Sequence, residues 1–233
     1  HLDLNANFSR AWRISMPRRE FMEQLITSVK SAYPGTGFMA EAYDGWDSLS
    51  WCGFDLIYSK NNMGRAGGHH GWYDAVQSRD PGWIREALKR AEFLQWQTGG
   101  SAGLDFIGNH DEASPRRSFE AWERGAAALT LLMPGSMLFY GSQEIGFDKP
   151  IPSEPKSLPF GVPVQVDWRG GDQGLAAFYR DIFRKAGRLR ERLPSASMKT
   201  LEPRGDSGLV GYALVAEGSK KAGALVLANP LDR

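Results

Sequence analysis

The chain has 233 residues, enough for one large domain or for one domain with a small companion. Its 28 basic and 27 acidic residues leave a net charge of +1, so nothing argues for nucleic acid or an anionic membrane as a partner. Hydrophobic residues make up 42% and charged residues 24%, as in ordinary globular proteins, and no apolar run approaches the roughly 20 residues needed to span a bilayer. The opening HLDLNANFSR lacks the basic-then-apolar pattern of a signal peptide. Helices and strands then alternate. Pro17 suits a helix first turn, and Phe21, Leu25, Ile26 and Val29 follow the helical period to about Ala32, where Pro34-Gly35 stops it. A short strand then delivers Glu41, and Gly53 to Tyr58 forms a second apolar run. Cys52 is the single cysteine. It excludes an internal disulfide, suits a reducing, cytoplasmic compartment, and reads as a small buried hydrophobe.

Gly67-Gly68-His69-His70 reads as a loop, not a metal site: adjacent histidines point apart and no third ligand follows at helical spacing. Trp83, Ile84, Ala87, Leu88, Ala91 and Leu94 predict the buried stripe of a long helix that fades at Gly99-Gly100. The strand ending near Asp111 comes next. Residues 118–132 read as a helix rich in Ala and Leu, and Pro134-Gly135 leads into a strand over 136–140. After a proline-containing loop (147–170), Leu175, Phe178, Tyr179, Ile182, Phe183, Ala186 and Leu189 form the clearest amphipathic helix of the chain. Beyond Pro194 the texture changes. Short strand-like runs (Leu209 to Val215, Ala224 to Leu227) alternate with Gly, Ser and Lys turns, as in an antiparallel β domain.

The chemistry points to two acids seventy residues apart. Glu41 ends the run Gly37-Phe38-Met39-Ala40-Glu41, and Asp111 follows Leu104-Asp105-Phe106-Ile107-Gly108-Asn109-His110. In a parallel α/β sheet or barrel, catalytic groups emerge at the C-terminal ends of strands. Two carboxyl groups on separate strands are the least that glycosidic cleavage needs, because one must deliver a proton while another faces a developing cation. Glu41 lies among Phe38, Met39, Ala40 and Ala42, a setting that disfavours a charge. Asn109 and His110 beside Asp111 are donors that favour an anion or hold a sugar hydroxyl. Taken alone, either motif reads equally well as a strand cap or an ordinary loop.

Three segments resemble successive motifs of the α-amylase family, glycoside hydrolase family thirteen: FMAEAY (38–43), GNHDE (108–112) and PGSMLFYGSQEIG (134–146). They resemble its general-acid strand, its asparagine-histidine-aspartate strand and its last barrel strand, in the family's order, and the likeness runs on through GFDLIYSK (53–60). The resemblance implies an α/β fold: the later half of a (β/α)₈ TIM barrel, about strands 4 or 5 to 8, over residues 1–195. The start of an antiparallel β-sandwich domain would follow over 196–233. It also implies a fragment of a larger enzyme, whose partners would be an α-glucan or oligosaccharide substrate and the missing N-terminal half of the barrel.

Carried over residue by residue, Glu41 is the general acid/base, Asp111 the carboxylate that stabilises the transition state, and His110 a sugar-binding residue, with Asn109 beside it. Tyr43 either stacks on a sugar or packs at the barrel rim. The family's nucleophile is an aspartate in an Arg-x-Asp motif. Asp3, 38 residues before Glu41, is the candidate, but His1 stands where arginine is expected, so Asp3 also reads as an incidental acid. Family members often bind calcium; no ligand set for it is legible, and no cofactor is expected. The resemblance implies a retaining α-glycosidase or transglycosidase. A non-catalytic glucan- or partner-binding half-barrel, and an isomerase or glucosyltransferase on the same scaffold, remain alternatives.

Overall fold

The computed structural model describes residues 17–42, 46–60, 71–97, 102–149, 163–203 and 208–231. Asp3, Tyr43 and the Gly67–His70 stretch lie outside the described residues. The chain opens with helix α1 (Pro17–Ala32) and strand β1 (Met39–Ala40), followed by α2 (Trp46–Trp51) and β2 (Leu56–Tyr58). Helices α3 (Trp72–Ser78) and α4 (Pro81–Gln97) precede β3 (Ala102–Asp105). Next come α5 (Pro115–Phe119), a 3₁₀ turn (Glu120–Trp122), α6 (Glu123–Leu131) and β4 (Ser136–Met137). After a second 3₁₀ turn (Gln143–Ile145), α7 (Gln173–Arg192) leads to β5 (Ser197–Thr200), β6 (Val210–Val215) and β7 (Ala222–Ala228).

Strands β1 to β4 form one parallel sheet in sequence order, with Met39 opposite Leu56, Ile57 opposite Gly103 and Asp105 opposite Met137. Parallel pairing requires a crossover between strands, and helices supply it each time. Strands β5, β6 and β7 form a separate antiparallel sheet. The two sheets share a core through the helices. The buried Tyr212 of β6 donates its hydroxyl to the Leu129 carbonyl of α6 at 2.8 Å, and Glu92 of α4 accepts from the Thr200 backbone amide of β5 at 2.8 Å.

A smaller core of Met22, Ile26, Ala40, Leu49, Cys52, Phe54 and Ile57 holds α1 and α2 against β1 and β2. The buried pair of α1 is Met22 and Ile26; Phe21 and Leu25, expected to face inward, are 56% and 37% exposed. Helix α1 meets neighbours on one narrow face, so an i, i+4 pair suffices and the rest of its apolar stripe stays outside. Trp83 is likewise half-exposed, while Ile84 and Leu88 form the buried line of α4. A polar clamp fixes the start of β1. Lys30 reaches the Gly53 carbonyl (2.8 Å) and Asp55 Oδ1 (2.7 Å), and Asp55 Oδ2 accepts the Phe38 amide (2.7 Å).

Two expected elements differ in extent. The run from Gly53 pairs only from Leu56, because Gly53 turns the chain with φ of 92°. Glu120 adopts φ of 50° and breaks the helix expected over 118–132 into α5, the 3₁₀ turn and α6, while the Trp122 indole turns aside to donate to the Val76 carbonyl (3.0 Å).

Candidate active site

Because β1 to β4 run parallel, their C-terminal ends open on one side of the sheet. Glu41 follows the last residue of β1, Lys60 stands two residues past β2, Asn109 to Glu112 follow β3, and Tyr140 stands three residues past β4. Glu41 and Asp111, remote in sequence, meet there. His110 Nε2 lies 3.2 Å from Glu41 Oε1 and 3.3 Å from Asp111 Oδ2, and all three side chains are partly exposed, at 32%, 23% and 32% for His110, Glu41 and Asp111. An imidazole N–H at this position can donate to either carboxyl oxygen, so the trio sets two carboxyl groups from different strands on either side of one ring nitrogen.

The turn that presents Asp111 is built by Asn109. Its amide oxygen accepts the backbone amides of Asp111 (2.9 Å) and Glu112 (2.8 Å), an Asx-type turn that competes successfully with regular structure. Asn109 is 1% exposed, so its side chain shapes the loop from inside, whereas holding a sugar hydroxyl calls for a face on the cleft. Gly108 is required just before it: a Cβ there would sit 2.8 Å from Pro115 Cγ and 3.1 Å from Gln143 Oε1. Pro115 opens α5, whose N-cap Ser114 accepts the Arg117 amide at 3.3 Å.

Further groups surround the trio. Burial raises the Tyr58 hydroxyl well above its usual range, with the charges of Glu41, Asp111 and Glu112 adding to the effect and the Asn109 side chain opposing it. Burial, then the Asp111 charge, also raises Tyr140. Both phenols are thereby kept as neutral donors facing the acids. Lys60 pairs with Glu112 at 2.7 Å. Lys60, Glu112, Tyr58 and Tyr140 are the site residues that sequence reasoning misses. Lys60 carries the needed signal, since it closes the run GFDLIYSK just as Glu41 closes its own. Arg116 and Arg117 pair with Asp172 (2.7 Å) and Asp148 (3.1 Å), contacts that fasten α7 and the segment after β4.

Among the described residues, Glu41, His110 and Asp111 form the one group of His, Cys, Asp or Glu side chains whose ligand-type atoms lie within 4.8 Å of one another. Calcium needs six to eight oxygens, and two acids around an imidazole do not fit it.

No family model matches the sequence, and no curated protein matches it either. Solved structures do. A cyclomaltodextrinase superposes with a TM-score of 0.63 at 18% identity, over 91% of this chain and 35% of its own. A noncanonic maltogenic α-amylase from Thermotoga neapolitana gives 0.63 at 13% identity, over 97% of this chain and 52% of its own. The chain has the fold of the α-amylase family. The ligand-free cyclic α-maltosyl-(1→6)-maltose hydrolase from Arthrobacter globiformis gives 0.58 at 15% identity, over 87% of this chain and 44% of its own. The chain thus spans between about a third and a half of the α-amylase-family structures it matches.

Proposed function

We propose that the chain carries the acid/base half of a retaining α-glycosidase or transglycosidase acting on α-linked glucans or gluco-oligosaccharides. In this reading residues 1–195 are the later part of a (β/α)₈ barrel, and 196–233 begin a β-sandwich. The observation that carries it is the trio at the strand ends: Glu41 and Asp111 from different strands, joined through one imidazole nitrogen. Glu41 gives its proton to the glycosidic oxygen as the bond breaks. It then takes a proton from water or from an acceptor sugar in the second half of the reaction. Asp111, with His110 against it, supplies negative charge and hydrogen bonds beside the oxocarbenium-like ring, where charge develops. Asp3 is the proposed nucleophile and Tyr43 the proposed stacking residue. Asn109 contributes by holding the Asp111 turn.

Retention is part of what the resemblance to the α-amylase family implies: the acid/base works opposite a separate carboxylate nucleophile, the role proposed for Asp3. The test is proton NMR of the first-formed product of the full-length protein on an α-1,4-linked oligoglucoside. An α-anomer appearing first supports the reading, and a β-anomer appearing first rejects it.

A further inference from the structure

Among the described residues, Lys60 is the cation that reaches the carboxylate next to Asp111, and its setting is unlike that of a surface ion pair. The Ser59 amide donates to the Leu104 carbonyl at 3.2 Å, extending the β2–β3 ladder so that Lys60 is delivered beside the end of β3. Lys60 Nζ stands 2.7 Å from Glu112 Oε1, and both side chains are only 18% exposed. The ammonium also lies 5.6 Å from the ring centre of Tyr73, a 1% exposed residue of α3. Glu112 in turn shares its backbone anchor with Asp111, since both amides donate to Asn109 Oδ1. A displacement of Glu112 therefore reaches Asp111 through a single turn. There is also an electrostatic consequence. Glu41 and Asp111 flank His110, Glu112 adds a third acid on the same turn as Asp111, and Lys60 pairs with that third acid.

We infer that Lys60 is a positioning residue of this site: it pins Glu112, and with it the Asp111 turn, and cancels the charge of Glu112 so that Asp111 presents the net negative charge to the substrate. This rests on the acid/base reading above for its catalytic consequence, but not for its electrostatic one. The charged and titratable groups gathered at these strand ends with His110 and Asp111 are Glu41 after β1, Tyr58 and Lys60 at the end of β2, Glu112 itself, and Tyr140 after β4. Tyr73 of α3 lies behind Lys60 and Glu112. Of these, Lys60 alone is a fixed cation.

The test is an NMR titration of the His110 ring protons in the full-length protein, assigned with a His110→Gln variant. Lys60→Met keeps the length of the side chain and removes its charge, which leaves Glu112 as an uncompensated anion. The His110 midpoint should then move to higher pH, return with Lys60→Arg, and return again in Lys60→Met/Glu112→Gln. In turnover on an α-glucoside, Lys60→Met should lower kcat roughly 10-fold with little change in KM, and the double variant should recover much of it, as coupled neighbours do. An unmoved His110 midpoint, or a double variant no better than the single one, overturns the inference. The neutral pair in the double variant keeps the test informative should Lys60→Met alone fold badly. Absence of glycosidase activity in the unaltered protein counts against the proposed function, whereas the titration decides the electrostatic role of Lys60 independently of turnover.

Discussion

Replacing Glu123 by glutamine should make the protein more resistant to alkaline pH. Glu123 opens α6 yet is only 5% exposed, and its Oε1 accepts the buried Tyr179 hydroxyl at 3.4 Å, which itself accepts from Gln143 Nε2 at 3.3 Å. Burial pushes its carboxyl up to about 7 from 4.5, against the opposing charge of Arg116. The folded state thus binds this proton more tightly than the unfolded chain does. The resulting stabilisation is fully present below about pH 4.5 and is lost as pH rises through about 7. At about 1.4 kcal/mol per pH unit, the loss is up to about 3 kcal/mol. A glutamine can still accept from Tyr179 and carries no charge at any pH. Urea unfolding of both proteins from pH 4 to 8.5 isolates the effect, because Asp105, pushed up to about 6 by burial, contributes equally to each curve and cancels in the difference. The Glu123→Gln protein should gain on the unaltered one across pH 4.5 to 7 and level off above. A difference that stays flat across that window refutes burial of this carboxyl as the cause.

Leu88→Ala, at a fully buried position in the centre of α4, should cost about 2–5 kcal/mol in the same denaturation assay; a loss below 1 kcal/mol would mean that the shared core is not packed as described. Gly108→Ala should lower the melting temperature and cut turnover together, since relief of the clash with Pro115 must move either α5 or the Asn109 turn. Retention of both properties would show that the close approach at Gly108 is not required.

The periodic segments are legible because their burial is decided locally. The apolar period from Leu175 to Leu189 falls inside α7, which spans Gln173–Arg192. Pro17 marks the first residue of α1, and the antiparallel texture after Pro194 corresponds to β6 and β7. The short elements α2, α3 and β5 escape a sequence reading, since six, seven and four residues are too few for either period to declare itself. Which residues of α1 lie inside escapes it for a different reason: Phe21 and Ile26 are equally apolar in sequence, and only the neighbours choose between them. At the site, the ends of strands name Glu41, His110 and Asp111. Sequence cannot reveal that a single imidazole nitrogen joins the two acids, nor that Asn109 turns inward, because both depend on the β1–β2–β3 register. The ion pair of Lys60 with Glu112 spans 52 residues of chain and has no local signature at all.

The most direct measurement is the turnover of Glu41→Gln and Asp111→Asn in the full-length protein across α-glucosides whose leaving groups range from sugar alcohols to activated phenols and fluoride. A good leaving group departs without protonation, so the need for an acid disappears while the need for charge beside the ring remains. Glu41→Gln should cost roughly 10²–10⁴-fold on unactivated substrates and far less on activated ones in the first chemical step, whereas Asp111→Asn should be equally damaging to both. Equal losses for Glu41→Gln along the series, with bond cleavage established as rate-limiting, would contradict Glu41 as the proton donor and with it the account of the site.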